Sequence, residues 1–198
     1  MSQTTLDIKE PGLNVLPPGV ERHVVNAGGL TGLQVFPDDE IEIINDEGNQ
    51  ICEIVCFDKD GKSELGILNQ KENSKKSFIK EILNRKDESS LVTNLQLKKR
   101  NLDINKSKSS ILFDDKTPSG EKIKIKSKDK CYVIFSAPQN DMLVSEQNPS
   151  SDLTIFIKRA KIVNDKELSI IPDPVYEPNY EKNIDRETAI SFQVKEGD

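Results

Sequence analysis

Residues 41–57 read IEIINDEGNQICEIVCF, and this stretch decides the fold class of the 198-residue chain. Two runs rich in isoleucine and valine, 41–44 and 51–57, flank a polar segment, 45–49, that contains a glycine. β-Branched residues favour strands, and a short glycine-containing segment between two such runs is typical of a β-hairpin. The stretch therefore predicts two antiparallel strands joined by a tight turn.

Three further runs carry strand patterns. Residues 122–126 alternate lysine with isoleucine, which predicts one buried face and one charged face. Residues 131–135 are apolar throughout, which predicts a central strand covered on both sides. Residues 152–157 form another strand-like run after a loop that contains prolines.

Helical spacing is rarer in this chain. Apolar residues within 78–83 recur at the spacing of one helical face, and Leu91 and Leu95 indicate a second short helix. Together with seven or eight strand-like runs, this predicts a mainly β, α+β fold. We expect a β-sandwich or distorted barrel with one or two short helices inserted.

The chain divides into four predicted segments. Residues 1–19 are an extended lead-in, 20–171 a β-rich domain, and 172–187 a linker with three prolines and two tyrosines. Within the last segment, 188–198, residues 192–198 resemble residues 33–39 in an apolar-Gln-Val pattern that ends in aspartate. Two interpretations are open: the likeness of such short segments arises by chance, or the repeat is real and 188–198 begins a second copy of the domain.

Composition narrows the functional classes. The chain has 28 basic and 34 acidic residues, and its net charge of −6 argues against a nucleic-acid or anionic-membrane partner. No run of residues is apolar for long enough to cross a bilayer, and no signal peptide is visible. Three cysteines without a disulfide framework fit a reducing compartment. We therefore expect a cytoplasmic protein.

Residues with catalytic or metal-binding chemistry are few. The chain holds one histidine, His23, and three cysteines, Cys52, Cys56 and Cys131, with no Cys-x-x-Cys spacing. A structural zinc site needs four ligands at recognisable spacing, so we expect no metal and assign no catalytic residue. Cys52 and Cys56 would share one face of a strand, where buried thiols act as small apolar side chains.

The ligand-binding candidates are Arg22, His23, Glu47 and Gln50. Arg22 and His23 lie in a run that alternates polar and apolar residues, whereas Glu47 and Gln50 flank the glycine turn. Polar groups from both places would converge at the mouth of a β-barrel. A surface or strand-edge position explains His23 equally, and hydrogen bonds to a neighbouring loop would explain Gln50.

Four motifs follow one another along the chain: Pro18–Gly29, Asp39–Phe57, Ser136–Met142 and Gln147–Thr154. In this order and spacing they resemble the N-terminal domain of bacterial aminomethyltransferase-family proteins, which are similar to the glycine cleavage T-protein in their C-terminal part. That domain is itself similar to the urea carboxylase-associated family of unknown function, a β-rich fold.

The resemblance implies an accessory, non-catalytic domain of a folate-linked, one-carbon transferase. The segment itself would hold no cofactor and have no enzymatic activity, while the parent protein would be an aminomethyltransferase that uses tetrahydrofolate. The implied partners are a second copy of the same domain and a T-protein-like domain in the parent chain. Self-association into a homo-oligomer is a further expectation.

The chain departs from the family in its middle. Members of the urea carboxylase-associated family carry a His-Asp pair with a nearby cysteine, but residues 61–115 contain neither histidine nor cysteine. A metal or catalytic role therefore does not carry over. The alternative functions are a stand-alone small-molecule-binding β module and an enzyme that uses His23.

Overall fold

The computed structural model describes residues 16–74, 76–85, 87–139 and 149–160. Eight strands and two α-helices lie within these residues, as the alternating and apolar runs predict. In chain order the elements are β1 (Val20–Val25), β2 (Leu30–Val35), β3 (Glu40–Asn45), β4 (Cys52–Phe57), α1 (Phe78–Leu83), α2 (Glu88–Lys99), β5 (Ser109–Phe113), β6 (Glu121–Lys126), β7 (Cys131–Ser136) and β8 (Leu153–Lys158).

The strands form two antiparallel four-stranded sheets that face each other. The first sheet has the order β1-β8-β3-β6 and the second has the order β2-β7-β4-β5. This alternation of strands between two sheets is the arrangement of an eight-stranded jelly roll. The predicted mainly β sandwich with short inserted helices is confirmed, and the barrel alternative is not what the strands form.

The predicted hairpin at residues 41–57 is wrong. β3 pairs with β6 and β8 in the first sheet, whereas β4 pairs with β5 and β7 in the second. The intervening segment therefore carries the chain from one sheet to the other. Both strands were identified from local propensity, but their partners are set by the burial of each strand's apolar face against the opposite sheet.

The core fills the space between the two sheets. Alternate side chains of each strand point inward, so Ile41 and Ile43 from one sheet pack in the same cluster as Ile54 from the other. Cys52 and Cys56 lie beside Ile54 in this cluster, as their spacing predicts. The predicted central strand is confirmed, because all six residues of β7 are buried.

The helices cover the outer face of the second sheet. Ile79 and Ile82 of α1 pack with Phe57 and Ile134 of this sheet in a second apolar cluster. Ser77 caps the N-terminus of α1 by accepting a hydrogen bond from the Lys80 amide. The covered face explains why β4 and β7, the central strands of this sheet, are apolar at nearly every position.

Helix α2 is reversed relative to the usual amphipathic pattern. Its buried side chains include Ser90, Thr93 and Gln96, whereas Leu91 and Leu95 are about half exposed. Ser90 donates to the carbonyl of Ile82 at 2.7 Å, and the hydroxyl of Tyr132 donates to Gln96. The helix is confirmed, but the two leucines that indicated it do not face the core.

The outer face of the first sheet carries paired charges instead of helices. Lys124 lies across from Glu42, with 3.5 Å between the amine and carboxylate, and Lys126 lies 2.9 Å from Asp38. These ion pairs are exposed and contribute little stability.

No helix in the described ranges is both long and apolar enough to cross a membrane.

Several predicted segments lie outside the described residues. These are most of the lead-in, the linker at 172–187 and the repeated start at 188–198. The domain divisions at these places stay predictions.

Candidate functional site

The four predicted ligand-binding residues do not converge. Arg22 and His23 are neighbours on β1, so their side chains point to opposite faces of the strand, and Arg22 is exposed. Glu47 is exposed in the connection between β3 and β4, whereas Gln50 is fully buried in the same connection. Ligand binding by these residues stays a prediction, but they do not line one common pocket.

Gln50 joins three parts of the chain at one end of the sandwich. Its Nε2 donates to the carbonyl of Pro138 at 2.8 Å and to that of Ile51 at 3.0 Å. Its Oε1 accepts from the amide of Ser151 at 2.8 Å. Asn45 in turn donates to the Gln50 carbonyl. The structure therefore shows Gln50 bonded to neighbouring loops, the alternative that the sequence left open.

His23 belongs to a cluster of charged groups on the inner side of β1. Its Nε2 lies 3.1 Å from Oε2 of Glu21. Glu21 also accepts two hydrogen bonds from the guanidinium of Arg159, each at 2.8 Å. Burial raises the pKa of Glu21, but the hydrogen bonds from His23 and Arg159 outweigh it and lower this pKa to about 2.

Arg159 extends this cluster to the turn between β2 and β3. Its Nη1 lies 2.6 Å from Oδ2 of Asp39 and donates to the carbonyl of Gln34 at 3.0 Å. The side chains of Arg159 and Asp39 are 7% and 2% exposed, so this pair is shielded from water. Asp39 also accepts from the amides of Phe36 and Ala160. The arrangement satisfies its charges internally, which is the geometry of a structural ion cluster.

Sequence reasoning missed Arg159, Asp39 and Glu21. Arg159 lies 138 residues from Glu21 and 120 residues from Asp39. Each residue stands among other charged residues at a strand end, so no spacing signal distinguishes it from a solvated side chain. The pairing of β8 with β1 on one side and with β3 on the other brings them together.

A polar cleft of about 700 Å³ lies between β2 and the start of α2. The turn Asn26–Gly29 lines it, and Gly28 in this turn has a φ of +75° that favours glycine. Arg85 donates to the Gly28 carbonyl at 3.2 Å, and Asp87 and Gln139 also line the cleft. The cleft offers donors, acceptors and charges of both signs, and none of the four predicted ligand-binding residues lines it.

Metal-binding groups are scattered in the described part of the chain. No group of three or more histidine, cysteine or carboxylate side chains comes together there. Cys56 and Cys131 are buried in the core, and the neighbouring Cys131 thiol together with burial raises the pKa of Cys56. Both thiols therefore act as core side chains.

The chain matches a curated enzyme along nearly its whole length. It is 32% identical over 191 residues to trimethylamine-oxide aldolase from Ruegeria pomeroyi. The match covers 96% of this chain but only 24% of the aldolase, so the chain spans about a quarter of its relative's length. No family model matches the sequence.

This match corrects the family assignment made from the four motifs. The resemblance to aminomethyltransferases and to the urea carboxylase-associated family is wrong, because the matched relative is named as an aldolase and no family model supports either group. The assignment as an accessory domain of a glycine cleavage T-protein-like transferase is wrong for the same reason. The alternative of a stand-alone ligand-binding module gains no support from a relative that is four times longer.

Proposed function

We propose that this jelly roll is part of an enzyme that cleaves trimethylamine oxide or a closely similar amine oxide. The observation that carries the proposal is the match to trimethylamine-oxide aldolase over 96% of the chain at 32% identity. Such continuous similarity supports a shared fold and a shared place within a longer protein. The proposed reaction class is that of a lyase.

The atoms of trimethylamine oxide equal those of dimethylamine plus formaldehyde. Cleavage therefore breaks one bond between nitrogen and a methyl carbon and moves the oxygen from nitrogen to that carbon. One proton leaves the methyl group and one proton arrives on the amine nitrogen. No oxidant, reductant or second substrate is required by this balance.

The described residues support a structural contribution to such an enzyme. The core is filled by apolar side chains, and the ion cluster around Arg159 satisfies its own charges. The cleft beside α2 is open and polar. In the complete enzyme it would accommodate a further part of the protein or a small polar molecule.

The test is an assay of the protein encoded by the complete gene that contains these 198 residues. We expect equal amounts of formaldehyde and dimethylamine from trimethylamine oxide, and no products from trimethylamine, which lacks the oxygen. Assays with and without tetrahydrofolate decide the separate expectation that the parent protein uses this cofactor. Transfer of a one-carbon unit to tetrahydrofolate without cleavage of any amine oxide would contradict the proposal.

The contribution of this chain is tested in the same complete protein. Arg159→Met removes the guanidinium that contacts the carboxylates of Glu21 and Asp39 in the jelly roll, and we expect it to lower the yield of active enzyme at least fivefold. Lys124→Met removes one exposed ion pair and is the control, with activity within twofold of wild type. Full activity of Arg159→Met would mean that the jelly roll does not support the enzyme.

A further inference from the structure

A second cleft, of about 370 Å³, concentrates positive charge in a chain that is acidic overall. Four cationic side chains line it, together with the carboxylate of Asp58 and the ring of Tyr132. The cations are Lys59, Lys99, Arg100 and Lys130. The chain has a net charge of −6, so this local excess is opposite in sign to the whole molecule.

The cations come from three separate segments. Lys59 lies in the turn after β4, Lys99 and Arg100 lie at the end of α2, and Lys130 precedes β7. Basic residues at a helix C-terminus are explained by the helix dipole. That explanation does not reach Lys59 and Lys130, which the fold brings to the same cleft from two other turns.

The carboxylate of Asp58, which also lines the cleft, is hydrogen-bonded within its own turn. Oδ1 of Asp58 accepts hydrogen bonds from the amides of Asp60 and Lys62, at 2.9 and 2.8 Å. Among the described residues, Lys59, Arg100 and Lys130 make no ion pair with a carboxylate. The exposed lysines of the first sheet behave differently, because each of Lys124, Lys126 and Lys158 has an acidic partner.

Aromatic rings hold two of the cations in place. The guanidinium of Arg100 lies 4.6 Å from the centre of the Tyr132 ring, and the amine of Lys130 lies 5.4 Å from that of Phe36. Such contacts orient a cation without neutralising it. The cleft therefore presents preorganised positive charge above a flat, buried tyrosine.

We propose that this cleft binds a small anion that carries two or more phosphate or carboxylate groups. Its volume suits a small molecule, and several cations of one site are matched by a multivalent anion better than by chloride. The proposal is independent of the amine-oxide chemistry, because trimethylamine oxide has no net charge.

The experiment is calorimetric titration of the full chain with inorganic pyrophosphate and, separately, with citrate, at constant low ionic strength. We expect saturable binding of at least one probe, weakened by added salt. The probe that binds more tightly identifies the chemical group. Lys59→Gln combined with Lys130→Gln should weaken that binding at least about tenfold.

The matched control is Lys124→Gln combined with Lys158→Gln, which removes the same charge from the outer face of the first sheet. It should change the dissociation constant by less than about twofold. Circular dichroism and thermal unfolding check that both double variants fold. Absence of saturable binding by both probes, or equal weakening by the cleft and control variants, would overturn the proposal.

Discussion

Two glutamates, the partly exposed Glu21 and the fully buried Glu53, have pKa values that are shifted in opposite directions. Glu21 lies at the edge of the first sheet, where Arg159 and His23 contact its carboxylate, and its pKa is lowered to about 2. Glu53 lies on β4 beneath the helices and is fully buried. Its Oε2 accepts from the Ile79 amide at 2.7 Å, while its Oε1 has no hydrogen-bond partner in the described residues.

The difference is the presence of a cation. Burial raises the pKa of Glu53, and hydrogen bonds from Ser109 and the Ile79 amide offset this only in part. For Glu21, whose side chain is 29% exposed, the effect of burial is outweighed by the hydrogen bonds from His23 and Arg159. The edge of the first sheet therefore stabilises an ionised carboxylate, whereas the covered face of the second sheet disfavours ionisation.

The largest expected effect follows from removing the cation. Arg159→Met removes the guanidinium from Glu21, which keeps its contact with His23, and from Asp39, which then has no cationic partner among the described residues. A buried charge without its partner costs about 3 kcal/mol, and Asp39 is only 2% exposed. Urea unfolding at neutral pH measures the loss. Lys124→Met, whose ion pair with Glu42 is exposed, should cost less than about 1 kcal/mol. Equal costs for the two variants would show that burial of the Arg159 cluster adds nothing.

The second prediction concerns Glu53. Glu53→Gln keeps an oxygen for the Ile79 amide and removes a carboxyl whose ionisation opposes folding at high pH, so it should raise the free energy of unfolding at pH 8 by about 1 kcal/mol. Because the pKa of Glu53 is raised from 4.5 in the folded state, wild-type stability falls as pH rises above about 4.5. The gain should therefore disappear near pH 4. A loss of stability at pH 8 would mean that the ionised form is favoured.

The third and smallest prediction is the opposite pH dependence of Glu21. Its folded-state pKa is below the unfolded value of 4.5, so its contribution is present above pH 4.5 and is lost as pH falls towards 2. Glu21→Gln should cost about 1 kcal/mol at pH 7, a value reduced because the side chain is 29% exposed. Unfolding curves of the variant and wild type should converge near pH 2. Parallel curves at all pH values would contradict the assignment.

Local sequence patterns predicted the elements of the fold but not their partners. The alternation at 122–126 and the apolar run at 131–135 correspond to β6 and β7. The pairing of β3 and β4 was wrong, because propensity describes one strand at a time, whereas sheet membership depends on which faces are buried together. Leu91 and Leu95 indicated α2 for the wrong reason, since they lie on its exposed side.

The polar sites were less predictable for the same reason. Gln50 could be singled out beside its glycine turn, but its partners Pro138 and Ser151 lie about 90 and 100 residues further along the chain. The cations of the second cleft come from three segments of the chain that share no sequence pattern. Such sites depend on tertiary proximity, which a single sequence does not encode at any fixed spacing.

The strand order affects how the chain can fold while it is being translated. β1 and β3 are both hydrogen-bonded to β8, which comes last among the eight strands that the structure describes. Of the pairings seen in those residues, β1 lacks its β8 partner until Leu153–Lys158 has left the exit tunnel, and β3 can pair with β6 alone before then. Closing such distant pairs is slow and exposes unpaired edges meanwhile. The first half of this chain is therefore the part that a holding chaperone would need to shield during translation.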